Sequence, residues 1–196
     1  MKKEKPVLFN KYGRETLEEE LNNETFKRKT VSLYRFVNIE DPDNFRDELF
    51  LSWHELNING RIYLAKEGIN AQFSCPEHNW DKFLATLQEF KYLNDVPLKI
   101  AVEDDGKSFI KLTIKVRHKI LADGMDDNSY DSENVGNHLT AAEWNTHMNN
   151  PDTIVVDVRN HFEHEIGHFN DALCAKSDTF REDLPKINNL LKGKDS

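Results

Sequence analysis

The sequence predicts two small domains of different class, an α+β domain over residues 28–119 and the opening part of an α/β unit over residues 138–196. Three observations predict this. Between Val31 and Val102, β-type runs and helical stripes follow in the order strand–helix–strand–strand–helix–strand. From Asp123 to Asn137 the chain loses periodicity and fills with turn formers, which marks residues 120–137 as an acidic linker. Beyond it, capped helices alternate with a short apolar run.

Residues 1–27 are polar, with Glu15, Glu18, Glu19 and Glu20 around Leu17 and Leu21, and read as an N-terminal extension or a short surface helix. Val31 to Val37 is a strand by its β-branched and aromatic content. Asp41-Pro42 then supplies an N-cap and a proline at the first helical position. Phe45, Leu49, Trp53 and Leu56 recur at helical spacing and form one buried stripe. Two strands follow, over 58–65 and 69–73, separated by Lys66-Glu67-Gly68. A connection this short calls for glycine at a positive φ. Ser74 to Pro76 opens a second helix, with Trp80, Phe83, Leu84 and Leu87 expected to face inward. Val96, Leu98, Ile100 and Val102 alternate with polar residues and predict a strand buried on one face. This order is the split βαβ, or ferredoxin-like, arrangement, with both helices on one face of an antiparallel sheet. A further strand over 110–116 extends that sheet or leads out of it.

In the second segment, Thr140-Ala-Ala-Glu143 is a capping box for a helix to about Asn149. The apolar run from Ile154 to Val158 suits a parallel strand buried on both faces. Asn160 and Glu163 cap a short helix ending at Gly167, and another helix begins at Pro185. One confident strand does not make a parallel sheet. The unit is therefore expected to be cut before its sheet is complete.

Composition narrows the function. With 38% hydrophobic and 31% charged residues the chain is that of a soluble globular protein, and no apolar run approaches the ~20 residues of a membrane helix. The first residues lead into no signal segment. Cys75 and Cys174 form no CxxC pair and suggest no disulfide framework, so a reducing cytoplasm is the expected location. The net charge of −9 argues against a nucleic-acid partner only until it is apportioned. Residues 1–27 carry six basic and six acidic side chains, residues 28–119 fourteen of each, and residues 120–196 six against fifteen. The acidity belongs to the C-terminal segment, and the middle segment is free to present a basic face.

The run Ile154-Val-Val-Asp157-Val-Arg159, with Glu163, Glu165, Ile166-Gly167-His168-Phe169 and Ala172, resembles the first half of a rhodanese domain. The turn lacks the proline-glycine often found in its middle. Tyr34-Arg-Phe-Val37, Gly60 to Ala65, Lys66-Glu67-Gly68-Ile69-Asn70, Lys115-Val-Arg117 and Thr179-Phe180-Arg181-Glu182 resemble the rhodanese-type tRNA uridine hydroxylases. The resemblance runs from about Thr30 to Pro185. It implies a ferredoxin-like, acylphosphatase-like domain followed by an incomplete rhodanese-like one. It also implies hydroxylation of the tRNA wobble uridine to 5-hydroxyuridine, with molecular oxygen as co-substrate and no familiar flavin or metal cofactor. The cysteine this chemistry requires would lie beyond Ser196. A rhodanese-type sulfurtransferase, or a non-enzymatic RNA- or protein-binding module, are the rival readings.

Each candidate residue also has a plain structural reading. Lys111, Lys115, Arg117 and Lys119 share one side of a strand by their odd numbering. With Arg61 and Lys66 they are the candidates for phosphate contact, against an ordinary solvated face. Asp157, Arg159, Glu163 and Glu165 sit where α/β sites form, and are read as a supporting network rather than as acid–base groups. His161, His164 and His168 could face a metal, but Gly167 is expected to break the helix and spoil the common face. Cys174 has no glycine-rich or basic cradle, and Cys75 opens a predicted helix, so both read as structural. Glu67 and Asn70 are first explained by the hairpin turn.

Overall fold

A computed structural model describes residues 8, 12–102, 104–120 and 136–194. The chain divides into two compact units, residues 1–120 and 121–196. Most of the expected linker, 121–135, lies outside the described residues.

The first unit contains α1 (Arg14–Asn22), β1 (Arg28–Phe36), α2 (Pro42–Glu55), β2 (Asn59–Ala65), β3 (Gly68–Pro76), α3 (Trp80–Glu89), β4 (Lys99–Ile100) and β5 (Leu112–Val116). The sheet order is β4-β1-β3-β2-β5. Strands β4-β1-β3-β2 pair antiparallel, and β5 adds to β2 in parallel. The first four strands in this order are the ferredoxin-like sheet, and β5 extends it.

Local chemistry explains the elements. Asp41 caps α2 by accepting from the backbone N–H of Asn44, and Pro42 follows at the first position. In the hairpin between β2 and β3, Gly68 has φ +148°, and an added Cβ would stand 2.1 Å from the carbonyl oxygen of Arg35. No L side chain fits there. The core lies between the sheet and the helices α2 and α3. Trp53, fully buried, meets the rings of Phe73 and Phe83 at 4.7 and 5.7 Å between centroids. Leu17 and Leu21 of α1 are buried too, so the polar extension contributes a packed helix.

Three expectations for this unit need correction. The segment Ser74–Pro76 belongs to β3, and α3 begins only at Trp80 after a 3-10 turn over Glu77–Asn79. Leu84 is 37% exposed, because Phe83 and Leu87 hold the inward stripe and Leu84 falls at its edge. The run 96–102 pairs over Lys99–Ile100 alone, with Ile100 and Val102 exposed. As an edge strand it has one neighbour, β1, and the chain leaves it toward a turn at Gly106, φ +72°. Val96 is buried from the preceding loop rather than from a strand.

The second unit contains α4 (Ala141–Met148), β6 (Val156–Asp157), α5 (His161–Ile166), β7 (Leu173–Cys174) and α6 (Phe180–Leu191). The capping box forms in both directions between Thr140 and Glu143. Strand β6 pairs in parallel with β7, a strand the sequence did not reveal. The run 154–158 is not buried on both faces: Ile154 is 42% and Val158 47% exposed. Its sheet has two described strands, too few to cover them. Helix α6 starts at Phe180, not at Pro185, which lies inside it.

Apolar burial is uneven between the units. Among the described residues of the second, only Ala175 and Ile187 are buried hydrophobics, while Phe162, Ile166 and Phe169 are exposed. Local opening should be easier where so few apolar contacts hold. Native-state hydrogen exchange is therefore expected to find the amides of β2 and β3 far slower than those of β6 and β7. Equal protection in the two units would contradict this.

Candidate functional site

The first candidate surface is the face of the sheet opposite α2 and α3. Side chains alternate along each strand, so the inward Val31, Leu33, Ile62, Leu64, Ala71, Phe73, Leu112 and Ile114 define the other set as outward. The register builds two cross-strand rows. Lys99, Ser32, Gln72, Arg61 and Thr113 form one; Tyr34, Asn70, Tyr63 and Lys115 form the next. Arg61 and Lys115 are thus brought together by the parallel pairing of β2 with β5, and both are exposed.

The other candidates for phosphate contact are placed less uniformly. Lys111 precedes β5, its carbonyl accepting from the N–H of Gly60. Arg117 follows β5, and its guanidinium stands 5.5 Å from the centre of the Tyr63 ring. Lys66 is exposed in the hairpin turn. Lys119 lies beyond the end of β5, so it does not share the strand face that its odd number suggested. Glu67 is committed to the fold, since its carboxylate accepts from the N–H of Ile120 at 2.7 Å.

The second cluster gathers on β6 and α5. Asp157 takes both Nε and Nη2 of Arg159, at 2.9 and 2.8 Å, and the backbone N–H of Arg159 at 3.1 Å. His164 Nδ1 stands 3.0 Å from Asp157 Oδ2, the oxygen that also takes Nη2. Arg159 also donates to the carbonyl of Gly167 at 2.7 Å, which fastens the turn after α5. The Arg159 hydrogen bonds hold the Asp157 carboxyl well below the usual carboxylate range, with burial opposing them and His164 assisting. Glu163 and Glu165 do not join this network directly. Glu165 pairs with His161 at 3.3 Å instead.

The histidines divide between two sites. His168 stacks on His164 at 3.9 Å between ring centroids and bonds its carbonyl, so the helix break at Gly167 returns His168 to its neighbour rather than removing it. His161 Nδ1 stands 4.0 Å from Cys174 Sγ, at the outer limit for a hydrogen bond to sulfur. The sulfur also accepts from the N–H of Lys176. These contacts depend on β7, which no local pattern in the sequence announced. Cys75 is fully buried in β3 rather than at a helix start, and burial pushes its thiol up to about 12. It is not a nucleophile at neutral pH.

The Asp157 shift carries a pH prediction. A carboxyl depressed on folding adds stability above its unfolded value, about 3.9, and that stability is lost as pH falls toward the folded value. The second unit should therefore loosen below about pH 4, and Asp157→Asn should remove part of that dependence. Hydrogen exchange of residues 156–174 against pH measures it; an identical profile in the variant would contradict it.

With this geometry in place, comparison with known proteins shows what the chain is similar to. Residues 28–120 match the UPF0176 acylphosphatase like domain. Over 95–98% of its length the chain has strong homology to proteins named tRNA uridine(34) hydroxylase. The protein of that name from Leptospira interrogans serogroup Icterohaemorrhagiae serovar Lai (strain 56601) is 50% identical over 98% of this chain and 52% of its own length. Those from Enterobacter sp. (strain 638) and Yersinia pestis (strain Pestoides F) are 47% and 46% identical, each over 95% of this chain and 54% and 53% of their own lengths. The chain spans about half the length of the curated relatives it matches. The acylphosphatase-like match coincides with β1 to β5, and the homology continues through the Asp157 cluster. Among the described residues, no helix is long and apolar enough to cross a membrane.

Proposed function

We propose that this chain is part of a cytoplasmic enzyme that hydroxylates the wobble uridine of tRNA to 5-hydroxyuridine, with molecular oxygen as co-substrate. The observation that carries this is the 50% identity, over 98% of the chain, to a protein named tRNA uridine(34) hydroxylase. In this reading the acylphosphatase-like unit holds tRNA through Arg61, Lys111, Lys115 and Arg117, with Lys66 and Lys119 at the margins. The second unit is the first half of a rhodanese-like domain, and the reactive cysteine is supplied by sequence outside residues 1–196. Asp157 and Arg159, with His164, fasten the turn that carries Gly167 and so hold the shelf beneath that cysteine. Glu163 and Glu165 act from α5 without joining that network, Glu165 through its pair with His161.

The test uses the product of the whole gene. Incubated with unmodified tRNA under oxygen-18 gas, it is expected to add one labelled oxygen atom to the uridine at position 34. Residues 1–196 alone are expected to add none. Formation of thiocyanate from thiosulfate and cyanide, without oxygen incorporation, would overturn the proposal in favour of sulfur transfer.

A further inference from the structure

We propose that the open face of the five-stranded sheet is a stacking platform for unpaired RNA bases, with Tyr34 and Tyr63 as the base-bearing rings. This rests on the tRNA reading above and adds to it. Phosphate contacts alone would make the surface indifferent to strand pairing, whereas a platform selects bases that are free to leave a stack.

The first observation is charge. None of the five strands contains an aspartate or glutamate, in a chain whose net charge is −9. They contain six basic residues: Arg28, Lys29, Arg35, Arg61, Lys99 and Lys115. Three of these serve the fold. Arg28 bonds Glu24, Arg35 bonds the carbonyl of Asn94, and Lys29 lies over the ring of Trp80. The other three, Arg61, Lys99 and Lys115, lie on the open face and have no ion-pair partner among the described residues. Among the described residues, two acidic groups are bonded near its ends. Asp104 takes the hydroxyl of Thr30 at 2.5 Å, and Glu67 is bonded to Ile120. Among the described residues, Arg61, Lys99 and Lys115 therefore offer a polyanion positive charge that no ion pair has taken up.

The second observation is the position of the aromatic rings. Tyr34 and Tyr63 flank Asn70 in one cross-strand row, with Lys115 next to Tyr63. Two inter-strand spacings put the tyrosines about 10 Å apart. That spacing suits one base per ring position, with the Asn70 amide between them. Tyr34 is 38% exposed, and its ring meets Phe36 edge-on at 5.1 Å, which fixes the ring's orientation. Arg117 approaches Tyr63 at 5.5 Å from the ring centre. Gln72 and Asn70 add neutral donors and acceptors suited to base edges. Aromatic rings interleaved with cations and amides, on strands that contain no carboxylate, suit an unpaired stretch of nucleic acid. A protein docking face would instead be expected to lack such concentrated single-sign charge.

The experiment compares three ligands on the intact chain over the same series of salt concentrations: an anticodon stem-loop, the same sequence as a fully paired duplex, and an unrelated acidic protein of equal charge. The stem-loop should bind, and the duplex much more weakly. Tyr63→Ala and Tyr34→Ala should each weaken stem-loop binding about 5- to 100-fold without changing its salt dependence. Tyr63→Phe should bind as the parent does, which separates stacking from misfolding. Lys115→Gln should instead lower the salt slope. Equal binding of stem-loop and duplex, or tyrosine-to-alanine variants that fold and bind normally, would overturn the platform while leaving the tRNA reading intact. Failure of the parent to bind any RNA would overturn both. Preferential binding of the acidic protein would assign the face to a protein partner and overturn the platform.

Discussion

Trp53→Ala is expected to lower the unfolding free energy of the first unit by about 3–5 kcal/mol, the usual cost of emptying a large aromatic site. Trp53 is completely buried on α2 and touches the rings of Phe73 on β3 and Phe83 on α3. Removing it leaves a void where both helices meet the sheet, and close-packed neighbours relax only partly into such a void. The indole N–H is buried with no hydrogen-bond partner among the described residues. Trp53→Phe should therefore cost distinctly less, because it loses volume but also removes an unsatisfied donor. Urea unfolding of both variants measures this. A Trp53→Ala loss below about 1 kcal/mol would mean that the core is not built around this residue.

Arg28→Ala is expected to have a comparable effect for an electrostatic reason. Its side chain is 1% exposed and grips Glu24 through Nε and Nη2, both at 2.7 Å. Its Nη1 donates to the carbonyls of Asn57 and Ser74. One guanidinium thus ties the segment after α1 to the turn before β2 and to the end of β3. Truncation leaves a mostly buried carboxylate and two carbonyls without their donor, which typically costs about 3–5 kcal/mol. Lysine cannot reproduce the fork, so Arg28→Lys should recover little. The double variant Arg28→Met with Glu24→Leu removes both charges and should be milder than Arg28→Ala alone. If instead the double variant is the worst of the three, the buried pair is not the source of the effect.

What the sequence made legible follows from the range of the interactions. The cap at Asp41-Pro42, the capping box at Thr140 and Glu143, and Gly68 in its hairpin depend on neighbours within a few residues, and each formed in the expected place. The strand–helix order carried the ferredoxin-like sheet because consecutive elements pack together. The failures are long-range. Val96 and Val102 alternate as a strand should, yet only the two residues able to reach β1 pair. Strand β7 is two residues long and visible only through its partner β6. Nothing in the residues around Arg28 announces its bonds to the carbonyls of Asn57 and Ser74, far along the chain. Grouping Asp157 with Arg159 needed only their adjacency. His164 reaches Asp157 from α5, the turn at Gly167 returns His168 to His164, and Glu165 pairs with His161 one helical turn back.

The measurement that bears most directly on the whole account is nucleoside mass spectrometry of tRNA from cells in which the gene encoding this chain has been deleted. The account predicts that 5-hydroxyuridine and nucleosides built on it fall at position 34, and that the intact gene restores them where one carrying Arg61→Glu and Lys115→Glu does not. Unchanged wobble uridine modification in the deletion strain, with no second gene of the same kind present, would contradict it.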